Sequence, residues 1–337
     1  MTQVDFFKIS AARREGIQRV ARELQPGRRV ALSTHINADG DGCGSEAGLA
    51  RLLAQRGMAV HIVNPTPWPD LFDFLLADDV EDRSADGGDA LKEIDLLIVL
   101  DISDVRRLGA IAERVRSLTV PRVVIDHHIA SDDRAGDVIL TDTTACATGE
   151  LVYDLARELG FEITPRIAKS LYSAILTDTG AFRFSNTTPR SHAIAADLLA
   201  AGVDPEEMYQ RIYASAPAGR VRLLAEVLQT LGVDEHKGLA WLSMSAGALD
   251  QYHVRQEDLD GIVEHARSIA GTRMAVFFRD LGHGKVKASF RSTGGVDVNA
   301  FARRFGGGGH ARASGALIPG TLDDVRERVL AEARQLL

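Results

Sequence analysis

Residues 95–101 read Asp95-Leu96-Leu97-Ile98-Val99-Leu100-Asp101. Five consecutive apolar side chains between two aspartates are too few to cross a bilayer. They also lack the in-out alternation of a half-buried strand. A short unbroken apolar run predicts a strand over 96–102 that is covered on both faces, as in a parallel sheet flanked by helices. Working outward, Val30–Ser33, Ala59–Val63 and Val123–Ile125 read as further strands. Helical stretches lie between them, over 45–55 with Gly57 as its stop and around 111–116. Strands separated by such segments predict βαβ units and a parallel sheet.

Beyond this sheet the pattern turns helical over 149–176 and again over 189–231, with a break at Gly202 and Pro205. The later part reads as a structured link, charged and mixed in composition, not a Gly/Ser tether. A second alternation follows, with strands at 239–244, 274–278 and 286–290 and helices at 259–269 and 323–336. The 337-residue length also favours two domains at roughly 150 residues each.

Composition narrows the function. Hydrophobic residues make up 45% and charged residues 26%, which excludes a disordered or fibrous chain. The net charge of -8 argues against wrapping long duplex nucleic acid, which is driven by a basic excess. Any nucleic-acid substrate is expected to be short and held locally. Two cysteines, Cys43 and Cys146, are too few for a disulfide framework. The residues from Met1 to Asp5 lack the basic-then-apolar pattern of a secretory leader. The expectation is a soluble protein of a reducing compartment, the cytoplasm, with no membrane partner.

The residues that carry chemistry sit where predicted strands and helices end. His35, Asp39 and Asp41 follow the first strand, Asp101 ends the 96–100 run, Asp126-His127-His128 ends the next, and Asp178 follows a helix. Loops at the carboxyl ends of parallel strands converge on one crevice, which gathers these eight side chains. So many carboxylates repel one another unless cations lie between them. Carboxylates with a few imidazoles and no thiolate suit Mn²⁺ or Mg²⁺ better than structural zinc. Four carboxylates and two histidines suffice for two ions if one carboxylate bridges. A pair about 3.5–4 Å apart suits in-line displacement at phosphorus. Other polar residues read more plainly: Asp104 and Asp142 as caps or turn residues, Cys43 as a small filler. His61, His192, His236, His253, His265 and His283 read as core or surface histidines, and Gly40 and Gly42 as a turn.

His35-x-x-x-Asp39-x-Asp41, Asp101, Asp126-His127-His128 and Asp178, in that order, resemble the four motifs of the DHH phosphoesterase superfamily. Arg291-Ser292 and the later run Gly306-Gly307-Gly308-Gly309-His310 are similar to its DHHA1 domain. The likeness spans nearly the whole chain. Its implied fold is α/β: a DHH domain with a Rossmann-like parallel sheet over 1–190, a helical linker over 191–232, and a smaller α/β DHHA1 domain over 233–337. Length and organisation are similar to the branch of bifunctional oligoribonucleases and phosphoadenosine-phosphate phosphatases. The resemblance implies that His35 and Asp39 hold one metal, that Asp41, His127 and Asp178 hold the other, and that Asp101 bridges them. It assigns Asp126 and His128 to catalysis, Asp126 orienting a histidine and His128 facing the substrate phosphate. Ala38 stands where proline is common, and Gly42-Cys43 replaces a more usual small-aliphatic pair; neither removes a ligand.

Successive glycines free the backbone N–H groups and permit positive φ, an anion-binding arrangement. Arg291 supplies a forked donor for phosphate. The glycines by themselves read as a flexible surface loop; it is the resemblance to the DHHA1 arrangement that implies substrate contacts at Arg291, Ser292, Gly307, Gly308, Gly309 and His310. The expected activity is Mn²⁺-dependent hydrolysis, with Mg²⁺ as substitute, of short single-stranded RNA (two to five residues) and of 3′-phosphoadenosine 5′-phosphate. Alternatives are a linear or cyclic dinucleotide phosphodiesterase, a RecJ-like single-strand exonuclease, and a non-catalytic nucleotide- or RNA-binding module. The resemblance also implies a homodimer.

Overall fold

The computed structural model describes residues 5–259 and 261–337. Residues 1–4, part of the stretch read above for a leader, lie outside the described residues. The chain divides into two compact units, 1–214 and 215–337. Among the described residues no helix is long and apolar enough to cross a membrane.

In the first unit α1 (Ala11–Glu23) precedes β1 (Arg29–Ser33), α2 (Gly40–Ala54), β2 (Ala59–Ile62), α3 (Asp73–Leu76) and β3 (Glu81–Asp82). Then come β4 (Leu96–Leu100), α4 (Ala112–Arg116), β5 (Arg122–Asp126) and β6 (Val138–Thr141), followed by α5 (Thr148–Glu158), α6 (Pro165–Asp178), α7 (Pro189–Ala200) and α8 (Pro205–Tyr213). The six strands are parallel in the order β3-β2-β1-β4-β5-β6. Neighbouring strands β1 and β4 continue the chain in opposite directions across the sheet, which opens a crevice beyond their carboxyl ends. The apolar run of β4 divides as expected. Leu96, Ile98 and Leu100 enter the core under the large helices, while Leu97 and Val99 enter a second core on the other face.

The short edge strands β3 and β6 were not read from the sequence: β3 is Glu81-Asp82, without an apolar residue, and β6 holds only the three apolar residues Val138–Leu140. Helix α2 begins five residues before its expected start at 45. Gly40 and Gly42 lie in its first turn, not in a loop. The reason is the partner helix: a Cβ on Gly40 would meet Thr177 Oγ1 and Cγ2 at 2.4 Å, and one on Gly44 would meet the Ser170 carbonyl at 2.4 Å. Glycines four apart make a flat stripe on which α6 lies close. That approach brings the end of α6 to the beginning of α2.

The expected linker is divided between the units. Ile194, Leu198, Met208 and Ile212 from α7 and α8 pack in the core of the first. Helix α9 (Ala218–Gln229) packs Leu223 and Val227 into the second. Apolar spacing within a helix shows which face is buried but not which sheet receives it.

The second unit continues with β7 (Gly232–Asp234), β8 (Leu239–Met244), α10 (Ala248–Tyr252), α11 (Ile262–Arg267), β9 (Met274–Asp280), β10 (Lys285–Ser292), α12 (Val298–Arg303), β11 (Gly308–His310), β12 (Ala313–Pro319) and α13 (Leu322–Leu336). Its strand order is β11-β12-β10-β9-β8-β7, antiparallel except for β8 with β9. Val286, Ala288 and Phe290 face α12 and α13, so Lys287, Ser289 and Arg291 point to the opposite side.

Candidate metal centre

The crevice of the first sheet collects the expected side chains. His35 lies two residues beyond β1, Asp101 is the first residue after β4, Asp126 ends β5, and His127 and His128 follow it. Asp39 is the N-cap of α2. Its Oδ1 accepts from the N–H groups of Asp41 and Gly42, leaving Oδ2 to face His35. Asp178 is the last residue of α6 and reaches the site through the close α2–α6 contact. Asp101 has φ +64°, an uncommon left-handed conformation for a residue with a Cβ. Such strain persists where surrounding structure imposes it, often at functional sites.

Among the described residues, three groups of ligand atoms lie within 4.8 Å of one another: His35, Asp39 and Asp101; Asp41, His127 and Asp178; and Asp101, His127 and His128. The first two are the groups expected for two ions, and Asp101 is the residue that reaches both histidines. Its Oδ2 is 3.4 Å from His35 Nε2 and its Oδ1 is 3.5 Å from His127 Nε2. His127 Nε2 also faces Asp41 Oδ2 and Asp178 Oδ2, each at 3.6 Å. It is buried without a hydrogen-bond partner, while its Nδ1 lies 3.3 Å from the Ala145 carbonyl. In His35, likewise, Nδ1 is 2.9 Å from the Ile36 carbonyl. With Nδ1–H donating, each Nε2 aims a lone pair into the carboxylates.

Separations of 3.4–3.6 Å are long for hydrogen bonds. They lie at or slightly above the edges of a coordination shell, since ligands about 2.1 Å from an ion stand roughly 3.0–3.4 Å apart. The donor set therefore fits divalent cations. Without them the charges are frustrated. Burial, with repulsion from Asp101 and Asp178, pushes Asp41 well above the carboxylate range. Burial lowers the His35 imidazole, yet Asp101 and Asp39 outweigh it and raise it to about 10. A proton on His35 and one on Asp41 are what cations replace.

Four neighbours were not read from the sequence. The N–H of Thr148 donates to Asp41 Oδ2 at 2.6 Å, and that of Gly149 to Asp41 Oδ1 at 2.9 Å. Ser45 Oγ donates to Asp41 Oδ1 at 3.1 Å, and Asn186 Nδ2 to Asp178 Oδ2 at 3.1 Å. The only available signal was a helix start at Ala147-Thr148-Gly149 whose N-cap, Ala147, offers no side-chain acceptor.

Asp126 orients His128, its Oδ1 lying 2.8 Å from His128 Nδ1 and accepting from the His128 N–H at 3.0 Å. That contact raises the His128 imidazole above its ordinary range, with burial opposing. The side chain is 48% exposed, so its Nε2 edge is open to a ligand. The residues set aside behave plainly. Asp104 caps a turn through Arg106, Asp142 a turn through Thr144, and buried His61 lies 3.1 Å from the Ala90 carbonyl.

In the second unit two expectations change. Gly308, Gly309 and His310 form edge strand β11, paired with Gly315, Ser314 and Ala313, not an open loop. Glycine is required because a Cβ on Gly307 would meet the Gly315 carbonyl at 2.1 Å, and one on Gly309 the Ala313 carbonyl at 2.6 Å. An edge strand still presents N–H groups on its outer side. Ser292 is buried and its hydroxyl donates to the Val296 carbonyl at 2.7 Å, so its proton closes a turn. Arg291 lies beside Glu264 at 3.4 Å and is partly exposed. The side chain of His310 lies outside the described residues.

Known proteins resemble the chain at both levels. The DHH family, N-terminal domain, matches residues 29–175, and the DHHA1 domain matches residues 242–337. The bifunctional oligoribonuclease and PAP phosphatase NrnA of Thermus thermophilus is 36% identical over 313 residues, 91% of this chain and 90% of that protein. An exopolyphosphatase-related protein from Bacteroides fragilis has the same fold with a TM-score of 0.86 at 25% identity, covering 96% of this chain and 97% of that one. The exonuclease RecJ bound to manganese shares the fold at a TM-score of 0.56 and 15% identity, over 98% of this chain and 96% of that one. A relative this similar over nine-tenths of both lengths, with both domains in the order that the motifs foretold, settles the kinship: the chain belongs to the DHH family of phosphoesterases, in the branch that carries a DHHA1 domain.

Proposed function

We propose that the chain is a phosphohydrolase dependent on two divalent ions, Mn²⁺ with Mg²⁺ as substitute. Its substrates are short single-stranded oligoribonucleotides, released as mononucleotides, and 3′-phosphoadenosine 5′-phosphate, converted to AMP. The reading rests above all on His127 Nε2, buried without a partner and facing oxygens of Asp41, Asp101 and Asp178. The similarity to NrnA supports the substrate class.

His35 and Asp39 would hold one ion and Asp41, His127 and Asp178 the other, with Asp101 between them. When bound, such a pair lowers the pKa of water and neutralises phosphoryl oxygens. Asp126 keeps the His128 Nδ1 proton in place, so Nε2 presents the second proton of an imidazolium toward a phosphoryl or leaving oxygen. Arg291 and the outward N–H groups of β11 bind the nucleotide through its phosphate and backbone. A net charge of -8 fits a substrate held by a few local contacts.

The test uses Mn²⁺ and a substrate panel: a diribonucleotide, a longer single strand, cyclic and linear dinucleotides, and adenosine 3′,5′-bisphosphate. Mononucleotides and AMP are the expected products. Asp101→Ala is expected to abolish turnover with the circular dichroism spectrum unchanged. Preference for long strands would favour the RecJ-like activity, and binding without turnover a non-catalytic module.

A further inference from the structure

We infer that Thr148 is a positioning residue that sets how Asp101 divides its two oxygens between the two metal groups; this rests on the two-ion reading above. The first N–H groups of any helix lack partners inside it and are normally satisfied by a capping side chain. Helix α5 has alanine at its N-cap and no side-chain cap. Its acceptor comes instead from α2: both oxygens of Asp41 are taken by the Thr148 and Gly149 N–H groups. The helix is capped by one of the expected metal ligands.

The same residue reaches the other carboxylate. Thr148 Oγ1 donates to Asp101 Oδ1 at 3.0 Å, and the threonine is fully buried. A hydroxyl has one proton to give, and here it goes to a single oxygen of Asp101. That oxygen is the one on the His127 side, whereas Oδ2 faces His35. The donor thus fixes the carboxylate torsion, leaving one oxygen for each group. Asp101 already has a left-handed backbone at φ +64°, so a second constraint on the side chain completes its placement. Through its backbone and its hydroxyl, Thr148 ties the Asp41 and Asp101 carboxylates into one frame. Hydrogen bonds of this kind behind a metal ligand commonly change metal affinity or rate by about 10–100-fold.

The test compares Thr148→Val, which keeps the shape but removes the proton, with Thr148→Ser, which keeps the proton. Thr148→Ser and Thr148→Ala, differing by one hydroxyl, serve if valine prevents folding. Binding of Mn²⁺ alone to the full chain is followed by calorimetry and by electron paramagnetic resonance. The wild type and Thr148→Ser are expected to bind two ions with the spectrum of a coupled pair. Thr148→Val or Thr148→Ala is expected to bind the second ion about 10–100-fold more weakly, with the six-line spectrum of an isolated ion. On a diribonucleotide, kcat is expected to fall with KM unchanged. Wild-type Mn²⁺ binding in Thr148→Val, or an equal loss in Thr148→Ser, overturns the assignment. These outcomes separate the two readings. Coupled Mn²⁺ lost in Thr148→Val from a chain that does not cleave RNA upholds Thr148 and rejects the substrate. RNA cleavage with Mn²⁺ binding indifferent to residue 148 does the reverse.

Discussion

Gly44→Ala opposes two effects of known size at one position. An alanine inside a helix is favoured over glycine by about 1 kcal/mol. At position 44 of α2, however, the new Cβ would lie 2.4 Å from the Ser170 carbonyl oxygen and 2.8 Å from the Ala174 nitrogen. Both atoms belong to the backbone of α6, so no rotamer change relieves the overlap. Ordinary contact begins at 3.4 Å, which requires α2 and α6 to part by about 1 Å. Overpacking of this kind costs about 1–3 kcal/mol or more. Because neither backbone atom can rotate away, the upper end of that range applies; after about 1 kcal/mol of propensity the expected net loss is about 2 kcal/mol, a fall in Tm of about 4–8 °C. The functional effect is larger than the stability effect. Helix α6 ends in Asp178 and α2 begins next to Asp39, so parting them widens the gap between ligands. A misplacement of about 1 Å at a reacting centre is worth up to 100-fold. Gly48→Ala is the control, because its closest neighbour is a rotatable methyl of Leu171 at 2.9 Å. It is expected to keep wild-type stability and Mn²⁺ affinity. Thermal denaturation and Mn²⁺ calorimetry decide the matter. A Gly44→Ala protein as stable and as tight for Mn²⁺ as the wild type, or a Gly48→Ala protein equally damaged, would refute the close-packing argument.

Three further perturbations address other parts of the unit. Arg13 lies buried between Asp142, Glu150 and Asp154, at 2.8, 2.6 and 2.7 Å, and Arg13→Ala leaves those acids with less than their full complement of cations. A loss of about 3–5 kcal/mol by urea denaturation is expected, and a loss below about 1 kcal/mol contradicts it. Burial raises the Glu46 carboxyl from 4.5 to about 8, against the hydrogen bond from Asn64. The folded chain then keeps a proton that the unfolded chain has released, so between those two values stability falls as pH rises, by about 1.4 kcal/mol per unit. Glu46→Gln removes that slope, and its stability relative to wild type is expected to improve by about 2–5 kcal/mol from about pH 5 to about pH 9; parallel pH profiles would show that Glu46 titrates normally. Chelation with EDTA of protein held at about 100 times Kd in Mn²⁺ removes about 2.7 kcal/mol and lowers Tm by about 5–10 °C, whereas an unchanged Tm means that no ion was bound to the folded state.

What could be read in advance follows from where the physical signal is local. Strand β4 was legible because burial on both faces leaves no position for a polar residue, and its five consecutive apolar residues show this without reference to any partner. The candidate ligands were legible for a related reason. Charged residues directly after an apolar strand stand at the carboxyl edge of a parallel sheet, where a crevice forms. Helix α2 shows where such reading fails. Gly40 and Gly42 look like a turn because their helical purpose lies in distant neighbours: Gly40, like Gly44, clears α6, more than a hundred residues away, and Gly42 clears Thr34. The run from Gly306 was misread in the same direction, for Gly307 and Gly309 are small to clear the carbonyls of β12 and lie in or beside a strand. In both places glycine reports a neighbouring backbone, and sequence alone does not say which.

Thr148 escaped notice for a complementary reason. Its hydrogen bonds satisfy a helix end that an ordinary cap would have satisfied locally, and the missing cap is visible only once the boundary of α5 is known. The cost of the centre is therefore spread over features that look like defects one by one: an uncapped helix, a left-handed aspartate, a glycine-lined helix, an imidazole nitrogen without a partner. Each is unfavourable alone, and each is satisfied by the same small volume at the reversal of the sheet. Unfavourable local choices that converge on one point mark a site selected for what it binds, since folding alone would have removed them independently.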